Sequence, residues 1–572
     1  MISLRRRSLL LITALTAGLT ASAAFSEAQS GAYLAARQAA SDGDYSAAAS
    51  FFTTALVADP TNPGLMEASV MAQVQTGNFA RALPIAKVLI DTKDGSNVAN
   101  LVVLADLLHL GKFDAAKAQV AAGKGGGPLV DGLVTAWADV GAGRMTDALA
   151  GFDKVADMPG LKAIGLYNKA LAMASVGDFG GAEKIFSGAD GVKLHLSSRG
   201  IVAAAEVLSQ LDRNPDALKL LDESFGPNAN PGIEPLRQRL RDGQAVPFDL
   251  IHTAQDGLSE VFLTVGAALK AQVAPSFTLV YARIAQYLSP GNTDATLLTA
   301  GLLELQHQYG LAIAAYESVP RGDMDYFAAQ LSRAQALYAS GSVDAGIAAI
   351  KQIVKANPGQ IDAQVELGDL LRQQKRYAEA LTAYDAAVTL IASPKPGDWG
   401  VFYMRGICNE RVGNWPKAEA DLRQALLLNP NQPEVLNYLG YAMVERGEKL
   451  SEALDLIRRA VAARPDDGYI VDSLSWAYFR LGDYGKALPI AERAARLTAV
   501  DPVITDHLGD VYWANGRKRE AEFQWRRALS FNPAPTDATR IKRKLAVGLD
   551  AVLKEEGAPP LKAVSLDAPA GG

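Results

Sequence analysis

Apolar residues recur in this chain at steps of three and four, and the steps come in pairs split by a short polar turn. Leu474 and Tyr478 lie four apart, Gly482-Asp483-Tyr484 interrupts, and Ala487, Ala491 and Ala494 resume at four and three. This is the spacing of two amphipathic helices joined by a tight turn, because residues three or four apart share one helix face. The pattern returns 34 residues later, with Leu508, Tyr512, Gly516, Ala521, Trp525 and Ala528 in the same places. Small residues at Gly440, Gly509, Ala487 and Ala521 let helix backbones approach, while Leu474, Tyr478, Leu508, Tyr512 and Trp525 fill the space beside them. Neither helix of such a pair buries its apolar stripe alone, so pairs must stack on their neighbours. Asn-Pro at 357–358, 429–430 and 532–533 ends second helices, since proline cannot continue them.

A helix–turn–helix unit of this period and residue pattern resembles the tetratricopeptide repeat (TPR). The resemblance implies an all-α fold, a TPR superhelical solenoid of antiparallel helix pairs. The phase is clear from Asp294 to Pro533; the N-terminal half is a worn version, with a good copy at 43–52 and the same turn again at 77–82, 111–116 and 177–182. Between the two halves, Pro and Gly at 226–232 and 244–249 break any helix, and a helix is expected from Thr253 to Ala271. The expected organisation is therefore two arms with an irregular break between them. A degenerate N-terminal arm covers 29–225, the break with its helix 226–275, and the C-terminal arm 276–535. A capping helix follows over 536–556, and a disordered tail over 557–572.

Three runs in the last repeats, at 469–484, 506–513 and 523–529, resemble a family of envelope TPR proteins of proteobacteria. Some members of that family are outer-membrane lipoproteins that act as adaptors for a C-terminal processing protease. The resemblance implies partners that are other proteins, such as an envelope protease or a cell-wall enzyme. The sequence departs from those members by lacking the lipidated Cys, and by Ser475 where a glycine is usual.

The N-terminus agrees with an envelope address. Arg5–Arg7, an apolar run from Leu9 to Leu19 and the small residues Ala21–Ala24 read as a cleavable signal peptide over residues 1–23. The apolar run is shorter than the ~20 residues that span a bilayer, so the mature chain is expected to carry no transmembrane segment. The single cysteine, Cys408, falls inside a repeat and suits a small buried hydrophobe. A periplasmic location, not as a lipoprotein, follows as the expectation. Net charge is −6 with 21% charged residues, and nothing builds the basic face that nucleic-acid binding needs.

Catalytic and cofactor chemistry is not suggested. The five histidines (His109, His195, His252, His307 and His507) stand in no metal-ligand spacing, and neither a G-x-S-x-G elbow nor a P-loop occurs. His507 reads as a solvated or capping residue, and Asp421 as a carboxylate on a solvated helix face that serves solubility. The expectation is a non-enzyme without cofactor or metal: a periplasmic scaffold or adaptor that holds partner proteins or peptides in the groove of its repeats. The alternative is a structural or export-machinery subunit of the cell envelope. TPR groove positions carried onto this sequence give Tyr403, Asn437, Tyr441, Tyr469, Asp472, Trp476, Phe479, Asp506, Asp510 and Trp513 as candidate partner-binding residues. They place binding between about Trp399 and Pro533. On this reading the three aspartates form an open acidic face that attracts a basic or apolar segment, and Asp510→Ala leaves stability unchanged.

Overall fold

A computed structural model describes residues 31–561, apart from 93–94, 190, 227–229 and 271. Among these residues every regular element is a helix, and no helix is long and apolar enough to cross a membrane. The segment read as a signal peptide lies outside the described residues, as does 562–572 of the tail. Contacts divide the chain into two compact units at Asn357–Pro358. The division therefore falls between two repeats and not in the Pro- and Gly-rich stretch at 226–275.

In the second unit five antiparallel pairs follow one another. They are Ile361–Gln373 with Tyr377–Leu390, Trp399–Arg411 with Trp415–Leu428, Pro433–Arg446 with Leu450–Ala463, Gly468–Leu481 with Tyr484–Leu497, and Pro502–Ala514 with Lys518–Ser530. Local chemistry sets their ends. Asp467 and Asp501 accept hydrogen bonds from the first free backbone N–H groups of their helices, and Gly482 closes its helix in the left-handed region at φ 78°. Ala487 and Ala521 are fully buried where paired helices cross. At Ser475, where glycine is usual, the buried hydroxyl donates to the Ala487 carbonyl across the pair at 3.0 Å. The extra oxygen is thereby satisfied instead of stranded.

The expected single capping helix is two helices, Pro535–Val547 and Leu549–Glu555. The chain breaks at Gly548, whose φ is 84°, and a Cβ there would lie 2.5 Å from the Trp513 ring. Only glycine both adopts that backbone and clears the indole.

The first unit departs further from expectation. Its repeats run through the pairs Pro63–Gln75 with Phe79–Leu89, Asn97–His109 with Phe113–Ala121, and Pro128–Gly141 with Met145–Ala156. Lys162–Ser175 with Phe179–Phe186 and Ser198–Gln210 with Asn214–Phe225 continue the series. Residues 226–275 do not separate two arms; they lead into the interior of this unit. Helix Ala254–Leu269, capped by Thr253 and Asp256, packs against Pro128–Gly141 and Lys162–Ser175. A Cβ on Gly257 would stand 2.4 Å from the Trp137 ring, so the helix lies directly on the indole. Helix Pro275–Leu288 then crosses Pro63–Gln75 and Asn97–His109. Its Tyr287 stacks on Phe79 with centroids 4.2 Å apart, and its Arg283 Nε donates to the Gln75 carbonyl at 3.1 Å. All four helices so covered are first helices of their pairs. The faces they turn to the returning helices are largely apolar, and burying that surface against Leu258, Val261, Phe262 and Val280 is the dominant reason for the return.

Candidate partner-binding cleft

The second unit carries a cleft of about 530 Å³ formed by its last repeats and the C-terminal helices. Helix Gly468–Leu481 supplies Trp476 and Phe479, one step of three apart on one face. Their rings stack in parallel at 4.7 Å, and Trp476 stacks on His507 of the next repeat at 4.0 Å. The Trp476 indole N–H donates to Glu445 of the preceding repeat. His507 Nδ1 sits 2.7 Å from Asp472 Oδ2. Burial opposes a charge on the ring, but Asp472, with Asp506 and Asp510 behind it, outweighs that effect and raises the imidazole above its ordinary value. The other Asp472 oxygen is buried without a hydrogen-bond partner.

One turn further, Lys544 from the first capping helix is fully enclosed. Its ammonium lies 2.7 Å from Asp506 and 2.6 Å from Asp510. Asp510 Oδ1 also accepts from Trp525 Nε1 at 2.9 Å, and Arg540 stands 3.5 Å from Oδ2. Arg540 in turn holds Glu556 through two bonds at 2.8 and 3.1 Å. Asp506 is pushed up to about 6, first by burial and then by the Asp510 charge, with Lys544 pulling the other way. The network joins the last repeat to both capping helices.

These positions correct the picture of an open acidic face. Asp510 is wholly buried, Asp472 nearly so, and all three aspartates already have partners within this chain, Lys544 for Asp506 and Asp510 and the His507 ring for Asp472. Trp476 and Phe479 are buried as well. Of the ten groove candidates, Tyr441, Trp476, Phe479, Asp506 and Asp510 line the one cleft. Tyr403 packs edge-on to Tyr438, and Asn437 is half-buried on the preceding repeat. Trp513 donates to Asp550 of the last helix at 2.8 Å, so the cap covers it. Tyr469, 59% exposed, is the one candidate that stands in solvent.

Sequence reasoning misses Lys544, Arg540 and the role of His507. One signal is present: Lys544 sits on the same helical stripe as Ile541 and Leu545, a charge where the period asks for an apolar residue. Asp421 is likewise no surface residue. It is buried, forked to Arg405 at 2.9 and 2.5 Å and bonded to Asn409. Cys408 is fully buried and burial pushes its thiol up to about 11, so the unreactive form prevails. Among the described residues no group of three or more His, Cys, Asp or Glu is placed to hold a metal ion.

Comparison with known proteins agrees with this architecture. Models of the tetratricopeptide repeat match residues 331–395 and 396–532. A TPR repeat-containing protein of Pseudomonas aeruginosa is 28% identical over 222 residues, 38% of this chain and 36% of that protein. The CTR9 homolog of Arabidopsis thaliana is 22% identical over 202 residues, 35% of this chain and 18% of that protein. The chain thus spans about a third and a fifth of the lengths of these curated relatives. Among solved structures, the APC/C hetero-tetramer Cut9–Hcn1 is similar with 15% identity and a TM-score of 0.39, covering 91% of this chain and 96% of that one. YrrB, a TPR protein with an unusual peptide-binding site, is similar with 17% identity and a TM-score of 0.28, covering 34% of this chain and 97% of that one.

Proposed function

We propose that this chain, which belongs to the tetratricopeptide-repeat family through residues 331–532, is a non-catalytic periplasmic scaffold that holds partner proteins in the cleft of its second unit. The family carries the coarser statement, a protein–protein interaction scaffold. The cleft is the observation that supports the finer one. It combines an aromatic floor from successive repeats, Tyr441, Trp476, Phe479 and Tyr484, with carboxylates at its edge. Aromatic side chains offer large contact area at low entropy cost and anchor protein interfaces. After internal pairing, the cleft keeps an excess of negative charge near the exposed Asp537. The N-terminal signal pattern and the likeness to envelope adaptors support a periplasmic site of action, with an envelope protease or cell-wall enzyme as client.

The test is affinity capture from envelope extract with the purified chain, wild type against Val503→Asp. Val503 lines the cleft and is 44% exposed, so this change alters the mouth without opening the core. A specific client should be retained by wild type and lost by the variant. Equal retention by both would refute the assignment of the cleft.

A further inference from the structure

The cleft already holds a piece of this chain. The last helix ends at Glu555, Ala558 N–H donates to the Leu553 carbonyl at 2.9 Å, and Glu556 is fixed by Arg540. From that anchored corner the backbone runs along the cleft, and Ala558, Pro559, Pro560 and Leu561 all line it. Leu561 is half-buried against the hydrophobic core that includes Trp476 and Ile541, while both prolines stay exposed at the rim.

The chemistry of this strap is informative. Two successive prolines hold φ near −65°, donate no N–H and favour the extended polyproline conformation, so ordering them costs little. Grooves lined with aromatic rings dock segments of this kind. The strap is also shallow: one leucine is sequestered and the prolines are not, which makes it displaceable. The acidic excess at Asp537 favours a cation next to the docked segment.

We infer that the strap Ala558–Leu561 is a built-in stand-in for the ligand, so that the cleft takes an extended Pro-Pro-apolar segment, flanked by a basic residue, from a partner protein that displaces the strap. The inference rests on the scaffold reading and narrows it to one class of partner segment. It also makes the free chain self-competing. A tethered strap acts at an effective concentration on the order of millimolar, so a segment arriving from outside binds more weakly while the strap is in place.

The test uses a fluorescent peptide with the sequence of residues 557–566, titrated into the full chain and into a chain ending at Glu556. The shortened chain should bind more tightly by a factor of one plus the strap's effective concentration over the segment's own Kd, which is about tenfold for a Kd near ~0.1 mM against a millimolar tethered competitor. Val503→Asp in the shortened chain should abolish that gain, and a peptide carrying Pro559→Gly and Pro560→Gly should bind more weakly. A full-length chain with Leu561→Ser guards against misfolding of the truncation; it should also bind the peptide more tightly than wild type at unchanged helix content. Equal affinity of full and shortened chains, or indifference to the prolines, overturns the inference. So does an oligomer that dissociates on removal of 557–572, because the occupant would then be the strap of a second copy. Failure of the scaffold reading looks different: the full chain then retains no envelope client at all, whatever the peptide does.

Discussion

Asp510→Ala isolates the network that fastens the capping helices to the repeats. Two losses can be counted from the geometry. The Trp525 indole N–H, fully buried and bonded only to Asp510 at 2.9 Å, is left without an acceptor, which costs about 1–3 kcal/mol. The Lys544 ammonium, also fully buried, loses one of its two countercharges. Removing the sole partner of a buried ion costs about 3–5 kcal/mol, and Asp506 remains at 2.7 Å, so this loss is reduced to roughly 1–2 kcal/mol by the same reasoning. Relief of the repulsion between Asp506 and Asp510 returns a small part. The expected net destabilisation is about 3 kcal/mol, or roughly 6–12 °C in the melting transition of a unit of this size. Because the chain has two units, a single global transition is not assumed. Tryptophan fluorescence, with Trp513 and Trp525 flanking the network, and hydrogen exchange of Pro535–Val547 give the local readout. Asp537→Ala on the same capping helix, exposed to solvent, should stay within about 0.5 kcal/mol of wild type. If the two variants melt alike, the buried network does not hold the cap, and the sequence-based picture of Asp510 on an open face is restored.

Ala487→Leu and Ala521→Leu should each destabilise the second unit by about 1–3 kcal/mol in chemical denaturation, since both alanines are fully buried at helix crossings. Gly548→Ala should free the last helix, seen as faster exchange over Leu549–Glu555 and altered Trp513 emission, because a Cβ meets that indole at 2.5 Å. In the first unit, burial pushes the Glu206 and Glu260 carboxyls up to about 7 from an ordinary 4.5. A folded-state value above the unfolded one means stability is fully present below about pH 4.5 and is lost as pH rises through 7, by on the order of 3 kcal/mol per group at most. Exchange over Ala254–Leu269 should therefore be slower at pH 5 than at pH 8 after correction for intrinsic rates; no difference would refute the burial of Glu260.

The helix pairs of the second unit are legible in the sequence because the period writes each packing role several times. Leu474 and Leu508, or Ala487 and Ala521, confirm one another without reference to the rest of the chain. Polar pairing is written once and far apart. His507 meets Asp472 across 35 residues and Lys544 meets Asp510 across 34, and no local rule says which charges of neighbouring repeats will face each other. The groove positions carried over from the repeat pattern assume a groove open at its end. Here the capping helices close that end, which turns Asp506, Asp510 and Trp513 from open to covered. Asp421 misleads for a related reason: an isolated carboxylate on a helix looks the same in sequence whether or not an arginine one turn of the neighbouring helix away, here Arg405, has buried it.

The fold of the first unit decides how a partner site can be mapped. Helices Ala254–Leu269 and Pro275–Leu288 lie on the first helices of the early repeats, the faces that would otherwise line a groove. Leu258, Phe262 and Tyr281 share one core with Leu101, Leu133 and Trp137, so those faces are not available to a partner while the unit is folded. A fragment cut near Gln244 would remove both covering helices. It would leave Trp137 and Leu101 exposed and strip Arg199 of Glu260, its partner at 3.0 Å. Such a fragment presents apolar surface of core quality, which binds other proteins without regard to function. Retention of a client by that fragment would then report a broken core and not a site. Mapping has to proceed by point substitutions in the intact chain, and the first unit offers a matched control. Phe51, on helix Tyr45–Ala58 of that unit, is 40% exposed, close to Val503 in accessibility but in the other unit. If Phe51→Asp releases the client as fully as Val503→Asp while both chains stay folded, the binding surface is not confined to the second unit and the cleft loses its claim.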